Sequence, residues 1–427
     1  MQNKAHVDSW YAATANLKLD LPPLEGATST DVCVIGAGYT GLSAAIHLRQ
    51  AGYNVTVLEA NKVAWGASGR NGGHVGTGQR AGQEELEKLV GLDHARALWQ
   101  LSLEAVDTVC KLIEEHSIDC ELKRGNLHVA SKAGDIASMP AEVEHLQKVY
   151  NYQQLRYVDA TELKSMTSGQ GFGGGLLDTG SRHLHPLNYA LGLARVAIEL
   201  GATIHEGSRV LSYSEGSQVT VRTDRGEVQA KFLVLACNGY LEKLEPRTAG
   251  RIMPINNYML ATEPLGEDLA RRLIRDDTSM SDSRFVINYW KLSADNRLLV
   301  GGGESYSRRF PADIKGCVRQ YALQIYPELA DPRIDYGWGG TLAITHRRMP
   351  DFGLLSPTTF SAHGYTGHGV PIATLAGKLL AEVIGGTAER FDVMASVPAM
   401  EFPGGTLLRW PGLVAGMLFY SLRDRIG

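Results

Sequence analysis

A glycine turn set between an apolar strand and a helix constrains this chain more than any other feature. Asp31-Val-Cys-Val-Ile35 is a short apolar run that opens into Gly36-Ala-Gly38-Tyr-Thr-Gly41. Leu42-Ser-Ala-Ala-Ile-His-Leu48 follows with helical spacing, and a second buried strand, Asn54-Val-Thr-Val-Leu58, ends on Glu59. Strand, turn, helix and strand within about 30 residues make a βαβ unit. In the GxGxxG pattern the first glycine allows the tight turn. The second lets backbone approach a pyrophosphate, and the third lets helix pack on strand. The helix start, with Tyr39 and Thr40 in its first turn, offers free N–H groups and a partial positive charge to phosphates. Glu59, followed by Ala60, stands where a carboxylate accepts a ribose hydroxyl and repels a 2′-phosphate. The pattern calls for a dinucleotide other than NADP.

A second glycine cluster, Trp65-Gly-Ala-Ser-Gly-Arg-Asn-Gly-Gly-His74, separates a flavin from a nicotinamide reading. Gly66, Ala67, Ser68, Arg70, Asn71, Gly72, Gly73 and His74 can lay N–H groups and a guanidinium along a second phosphate and a flavin edge. Glycine supplies 48 of 427 residues, about 11% against about 7% in average usage, and much of it is clustered in this way. Clustered glycine brings backbone close to a ligand.

With these two segments the sequence resembles the D-amino-acid oxidase superfamily of FAD-dependent oxidoreductases, and within it the γ-glutamylputrescine oxidoreductase branch. The resemblance extends to His185-Pro-Leu-Asn188, Leu292–Gly303, Arg348-Met-Pro-Asp-Phe-Gly353, Gly364-Tyr-Thr-Gly-His-Gly-Val370 and Phe402–Arg425. It implies FAD, held without a covalent bond. It also implies that Val210 holds the adenine by its backbone and that the Ala236-Cys-Asn238-Gly239 turn closes on the cofactor. Gly367, His368, Gly369 and Val370 precede a helix whose N–H groups would face the flavin N1/O2 edge. His74 lies near where some members of the superfamily attach flavin through histidine.

The expected fold is α/β with an α+β second domain: a glutathione-reductase-like FAD-binding Rossmann domain interrupted by an antiparallel-sheet substrate domain. An N-terminal arm covers 1–27. The FAD-binding domain takes 28–92, 185–250 and 335–395, the substrate domain 93–184 and 251–334, and 396–427 form a tail. Long amphipathic helices are expected over 83–120, and a hairpin about Asp224-Arg-Gly226 with a further buried strand at 231–236. Helices are expected near 312–326 and over 372–384.

Composition narrows the function. Forty-two basic residues against 46 acidic give a net charge of −4 with no basic run, which speaks against nucleic acid. Five cysteines without CxxC spacing indicate neither a disulfide framework nor a zinc site, and no metal is expected. The N-terminus lacks the apolar stretch of a secretory signal, so the chain reads as cytoplasmic. Residues 411–422 suggest an amphipathic helix with basic flanks that could lie on the inner face of a membrane.

Flavin oxidation of an amine needs a hydride acceptor, a neutral amine and a C–H bond held over the ring, so no catalytic triad is required. The pocket is expected between flavin and second sheet, with Tyr258, Asn288, Tyr289, Trp290, His346, Arg347 and Tyr365 as candidates. Sarcosine oxidases of the superfamily carry a lysine near the flavin that promotes reaction with oxygen. Aligning on the glycine strand puts Leu299 there, with no lysine from 292 to 314, which leaves oxygen or a quinone as acceptor. The substrate expected is a small amine or amino acid, γ-glutamylputrescine first. A cyclic imino acid such as L-pipecolate or proline is the alternative, and a non-catalytic FAD-binding subunit is the reading from another class.

Overall fold

The computed structural model describes residues 5–284, 286–305, 309–406, 409 and 411. Two sheets carry it. The first runs, edge to edge, Asp351–Ser356, Thr359–His363, Gly226–Leu235, Gly26–Ile35, Val55–Leu58 and Thr203–His205. All but the first of these strands are parallel to their neighbours. Register sets the function of this sheet. Ile35 pairs with both Leu58 and Leu235, so three strands end level, and their following residues Gly36, Glu59 and Ala236 converge on one edge. In open parallel sheets ligands bind at this carboxyl edge.

The first strand starts at Gly26, earlier than the apolar run suggests, because its exposed half still pairs with 226–230. The hairpin about Asp224-Arg-Gly226 is present, with Val219–Arg222 antiparallel to 227–230. The two apolar runs at 226–229 and 231–236 are one continuous strand, Gly226–Leu235. The helix after the glycine turn spans Tyr39–Gln50, and its third glycine is required by packing. A Cβ on Gly41 would sit 1.9 Å from the Gly36 carbonyl oxygen. This helix lies against Gly369–Ile384, and the Ser43 hydroxyl donates to Thr374 O at 2.6 Å.

The second sheet orders Ile334–Thr345, Ile252–Thr262, Leu298–Ser305, Tyr289–Leu292, Ser279–Asp282, Lys123–Ala130, Gly174–His183 and His74–Val75. It is antiparallel apart from the Ser279–Asp282 and Lys123–Ala130 pair. Three placements differ from the expected domain limits. Strand Ile334–Thr345, assigned from residue 335 to the nucleotide domain, pairs along its length with Ile252–Thr262 in the second sheet. His74–Val75 crosses to the second sheet as well. The expected helical stretch at 83–120 is two helices, Gln83–Val90 and Leu92–Glu115, divided at Gly91. The longer one buries Ala95, Leu98, Leu101 and Ala105 in the core of the first sheet, not the second. Helix Ala133–Tyr150 is not foreseen by the sequence reading. Trp410 and residues 412–427, on which the tail-helix expectation falls, lie outside the described residues. No described helix is long and apolar enough to cross a membrane.

Gly41→Ala forces the helix away from the turn and should cost about 1–3 kcal/mol of stability. A lowered melting temperature with loss of bound flavin checks this.

Candidate active site

The convergent strand ends build a cradle. Gly36 has φ +107°, and a Cβ there would lie 2.8 Å from Ala236 O, so the turn closes onto the neighbouring strand only through glycine. The Tyr39 N–H donates to Ser68 Oγ at 3.1 Å, which ties the second glycine cluster to the helix start. Glu59 accepts from Ala37 N at 3.0 Å and Asn61 N at 2.8 Å. Burial pushes its carboxyl above the ordinary range, while those N–H donors favour the ionised form.

The second cluster forms a rigid loop. Arg70 Nε donates to Trp65 O at 2.7 Å and Nη1 to Gly339 O at 3.1 Å, and the guanidinium lies 4.1 Å over the Trp65 ring. Its Nη2 is buried with no protein acceptor. Asn71 Nδ2 donates to Ala67 O and Ser68 O, and Gly73 N donates to Asn71 Oδ1 at 2.7 Å. His74 Nε2 is likewise buried and unpartnered. Opposite, Asn238 at φ +46° receives Gly364 N on Oδ1 and donates its own N–H to His363 Nδ1, clipping two strand ends together. Helix Gly369–Ile384 then starts at His368, whose Nε2 lies 3.0 Å from Gly76 O. The phosphate-facing turn, the acid at Glu59 and the orphaned polar atoms on Arg70 and His74 suit FAD, whose diphosphate, ribose and ring edge present complementary groups.

All of this opens on one cavity of about 1630 Å³, larger than the ~300–1,000 Å³ of an ordinary small-molecule pocket. Of the expected cofactor residues, Gly36, Gly38, Tyr39, Thr40, Glu59, Ala60, Gly66, Ala67, Ser68, Arg70, Asn71, Gly72 and His74 line it. So do Val210, Ala236, Asn238, Gly367, His368, Gly369 and Val370. Gly41, Gly73 and Gly239 do not. They shape the loops from behind, against Gly36 O, Leu184 O and Leu342 O.

The pocket candidates divide. Tyr289, His346 and Tyr365 line the cavity. Tyr289 donates to Asn257 Oδ1, and the Tyr365 hydroxyl lies 2.6 Å from Thr40 Oγ1. Tyr258 faces away into the second core, as does Trp290, which donates to Tyr326 OH at 2.9 Å. Asn288 is buried and spends its N–H groups on Asp282. Arg347 lies against Met400 outside the cavity, and Arg348 takes its place on the wall. For Tyr258 and Trp290 strand alternation explains the miss, because adjacent residues of a strand face opposite sides; Asn288 and Arg347 lie just outside strands, where no alternation guides the reading.

Sequence reading missed a whole extension of the cavity. Gly76–Gln83, Trp99, Asn126, His128, Glu142, Tyr152, Asp178 and Ser281 line it. These residues come from the loop after His74, three helices, the segment after Tyr150 and the second sheet, and no local motif joins them. Asp178 holds the loop in place. It accepts from Thr77 Oγ1, Ser181 Oγ, Tyr152 OH and Gly180 N at 2.5–2.8 Å.

No lysine falls within 292–314, but Lys291 lies on the neighbouring strand Tyr289–Leu292. It is buried, donates to Leu184 O, and its Nζ would be 3.3 Å from a Cβ on Gly73. Burial pushes its pKa down to about 8. Burial likewise pushes His74 down to about 3 and, with the charge of Arg80, His368 to about 4, so both imidazoles are neutral at physiological pH. Among the described residues no cluster could hold a metal ion.

Between about 8 and 10.5 the unfolded chain keeps a proton on Lys291 that the native chain has released. The stability of the wild type relative to Lys291→Met should therefore rise as pH increases across that window, measured by denaturant melts. Acid precipitation should leave the yellow colour in the supernatant, with His74 unmodified; colour retained on the pellet would show a covalent link.

The DAO family, FAD dependent oxidoreductase, matches residues 31–383. The chain is 40% identical over 423 residues to gamma-glutamylputrescine oxidoreductase of Escherichia coli (strain K12), covering 99% of each chain. Among solved structures it is similar to glycine oxidase from Geobacillus kaustophilus, with TM-score 0.74 and 19% identity over 88% of this chain and 100% of that one. L-proline dehydrogenase from P. horikoshii gives TM-score 0.70 and 20% identity over 87% and 98%. A sheet edge shaped to hold a dinucleotide and a match along most of the chain lead to one conclusion: the protein is a member of the DAO family of FAD-dependent oxidoreductases, enzymes that act on amines and amino acids.

Proposed function

We propose that the protein oxidises the terminal primary amine of γ-glutamylputrescine or a close analogue to an imine, which water hydrolyses to an aldehyde and ammonia. End-to-end identity to a relative of that activity carries this reading. FAD, when bound, supplies the hydride acceptor. The chain's own residues orient and desolvate the amine. Ile255, Leu342 and Ile344 share the cavity wall with Tyr289 and Tyr365. Apolar and aromatic walls disfavour an ammonium and so favour the neutral amine that oxidation requires. Neutral His74 and His368 add no charge against it. The N–H groups at the start of Gly369–Ile384 stabilise negative charge developing beside them.

For the acceptor we infer oxygen over a quinone, supported by Lys291 beneath the flavin loop. Lys291→Met should slow reoxidation by air by about tenfold or more while anaerobic reduction is little changed. Stopped-flow measurement of the two half-reactions checks this.

Anaerobic addition of γ-glutamylputrescine should bleach the flavin and release aldehyde and ammonia in equal amounts. Bleaching by L-proline or L-pipecolate but not by γ-glutamylputrescine would replace this reading with the cyclic imino acid one.

A further inference from the structure

Among the described helices two start on a histidine, and only one of those histidines caps its own helix. His185 Nδ1 accepts from Asn188 N at 3.1 Å, in the first turn of Pro186–Glu199. His368 opens Gly369–Ile384 and makes no such bond. Its Nε2 lies 3.0 Å from Gly76 O, and since a carbonyl only accepts, that nitrogen carries the hydrogen. The first turn of this helix is left with two free donors, the Gly369 and Val370 N–H groups, because Pro371 has none. Uncapped N–H groups at a helix start receive negative charge.

The His368 ring is held by the peptide between Gly76 and Thr77. Its carbonyl takes the imidazole, and on its other side the Thr77 N–H donates to Ser181 Oγ at 3.2 Å. A trans peptide points its C=O and N–H in opposite directions, so the second bond fixes the aim of the first. Ser181 Oγ donates to Asp178 Oδ2 at 2.5 Å, and the Thr77 hydroxyl donates to the same oxygen at 2.6 Å. Asp178 and Ser181 are both buried on strand Gly174–His183 of the second sheet. The loop passes this close to His368 only through glycine, since a Cβ on Gly76 would lie 2.9 Å from the imidazole. We infer that Asp178 is a positioning residue for the flavin ring. Through Ser181 and Thr77 it fixes the Gly76–Thr77 peptide, which occupies the His368 imidazole and keeps the Gly369 and Val370 N–H groups free for negative charge on the reduced ring. Released from Gly76, His368 would cap its own helix as His185 does and compete for those donors. This inference rests on the functional reading above, in which the ring lies beside the start of that helix.

The test reads the flavin midpoint potential of the substrate-free holoenzyme by dye equilibration, with the melting temperature alongside. Ser181→Ala, Thr77→Val and Asp178→Ala should each make reduction less favourable by about tenfold, the size of one hydrogen bond to a charged group, or ~30 mV for a two-electron couple. The sign separates this from plain electrostatics, because removing the Asp178 carboxylate would by charge alone favour reduction. Thr77→Ser keeps the hydroxyl and should hold the wild-type potential. Adding His368→Ala to Ser181→Ala removes the freed competitor and should restore it. Gln83→Met releases the other end of the same loop, where Gln83 Nε2 donates to Ala95 O at 2.8 Å, and should lower the melting temperature without moving the potential. Val370→Pro deletes one of the two donors at a position where a helix tolerates proline, and should lower the potential by itself. If Val370→Pro lowers it while Ser181→Ala and Thr77→Val do not, the role of Asp178 is overturned and the placement of the ring stands. If Val370→Pro also leaves it unchanged, the ring does not lie at this helix start, and the placement falls together with the inference. Should Asp178→Ala fail to take up flavin, the uncharged substitutions at Ser181 and Thr77 decide.

Discussion

Everything in this molecule depends on three strand ends lying level at one sheet edge. The pairing of Ile35 with Leu58 on one side and Leu235 on the other puts a glycine turn, a carboxylate and a strand-to-loop corner within reach of one ligand. The contact between Gly36 and Ala236 O tolerates no side chain, and the contact between Gly41 and Gly36 O tolerates none on the helix. Backbone N–H groups therefore remain aimed at the space where a diphosphate belongs. From there the second glycine cluster runs along the cavity into the second sheet through His74–Val75, so the glycine loop and the second-sheet wall are one stretch of chain.

That continuity explains the division of labour between the sheets. The edge of the first carries the glycine turn and Glu59; the second supplies the wall of Ile255, Asn257, Tyr289 and Leu342 and then the polar extension beyond. Charges are placed accordingly. Imidazoles near the loops are held neutral by burial, the Lys291 ammonium is kept behind the loop, and Arg80 is set in the extension. Burying the Lys291 ammonium is costly, and its hydrogen bond to Leu184 O offsets part of that cost.

The glycine turn at 36–41 and the second glycine cluster at 65–74 were legible in the sequence because each is a contiguous segment that answers a local demand, a tight turn or a close backbone approach. The two-sheet architecture was legible from where helical and strand periods change. The substrate side was not, because its residues converge from distant segments. On Ile252–Thr262 a register shift between Asn257 and Tyr258 decides which residue faces the cavity. Asn257 does and Tyr258 does not. Lys291 lies one strand over from the glycine strand Leu298–Ser305, opposite Leu299, so no spacing from those glycines points to it. Arg80, His128 and Glu142 carry no motif and become neighbours of one cavity only after folding.

The central claim is that a flavin dinucleotide fills the cradle at this sheet edge. The most direct measurement denatures the purified protein and reads flavin fluorescence before and after phosphodiesterase, which separates flavin from the adenine that quenches it. The account predicts close to one flavin per chain, with fluorescence rising on cleavage. A colourless protein that takes up no added FAD, or released flavin whose fluorescence does not change, would contradict it.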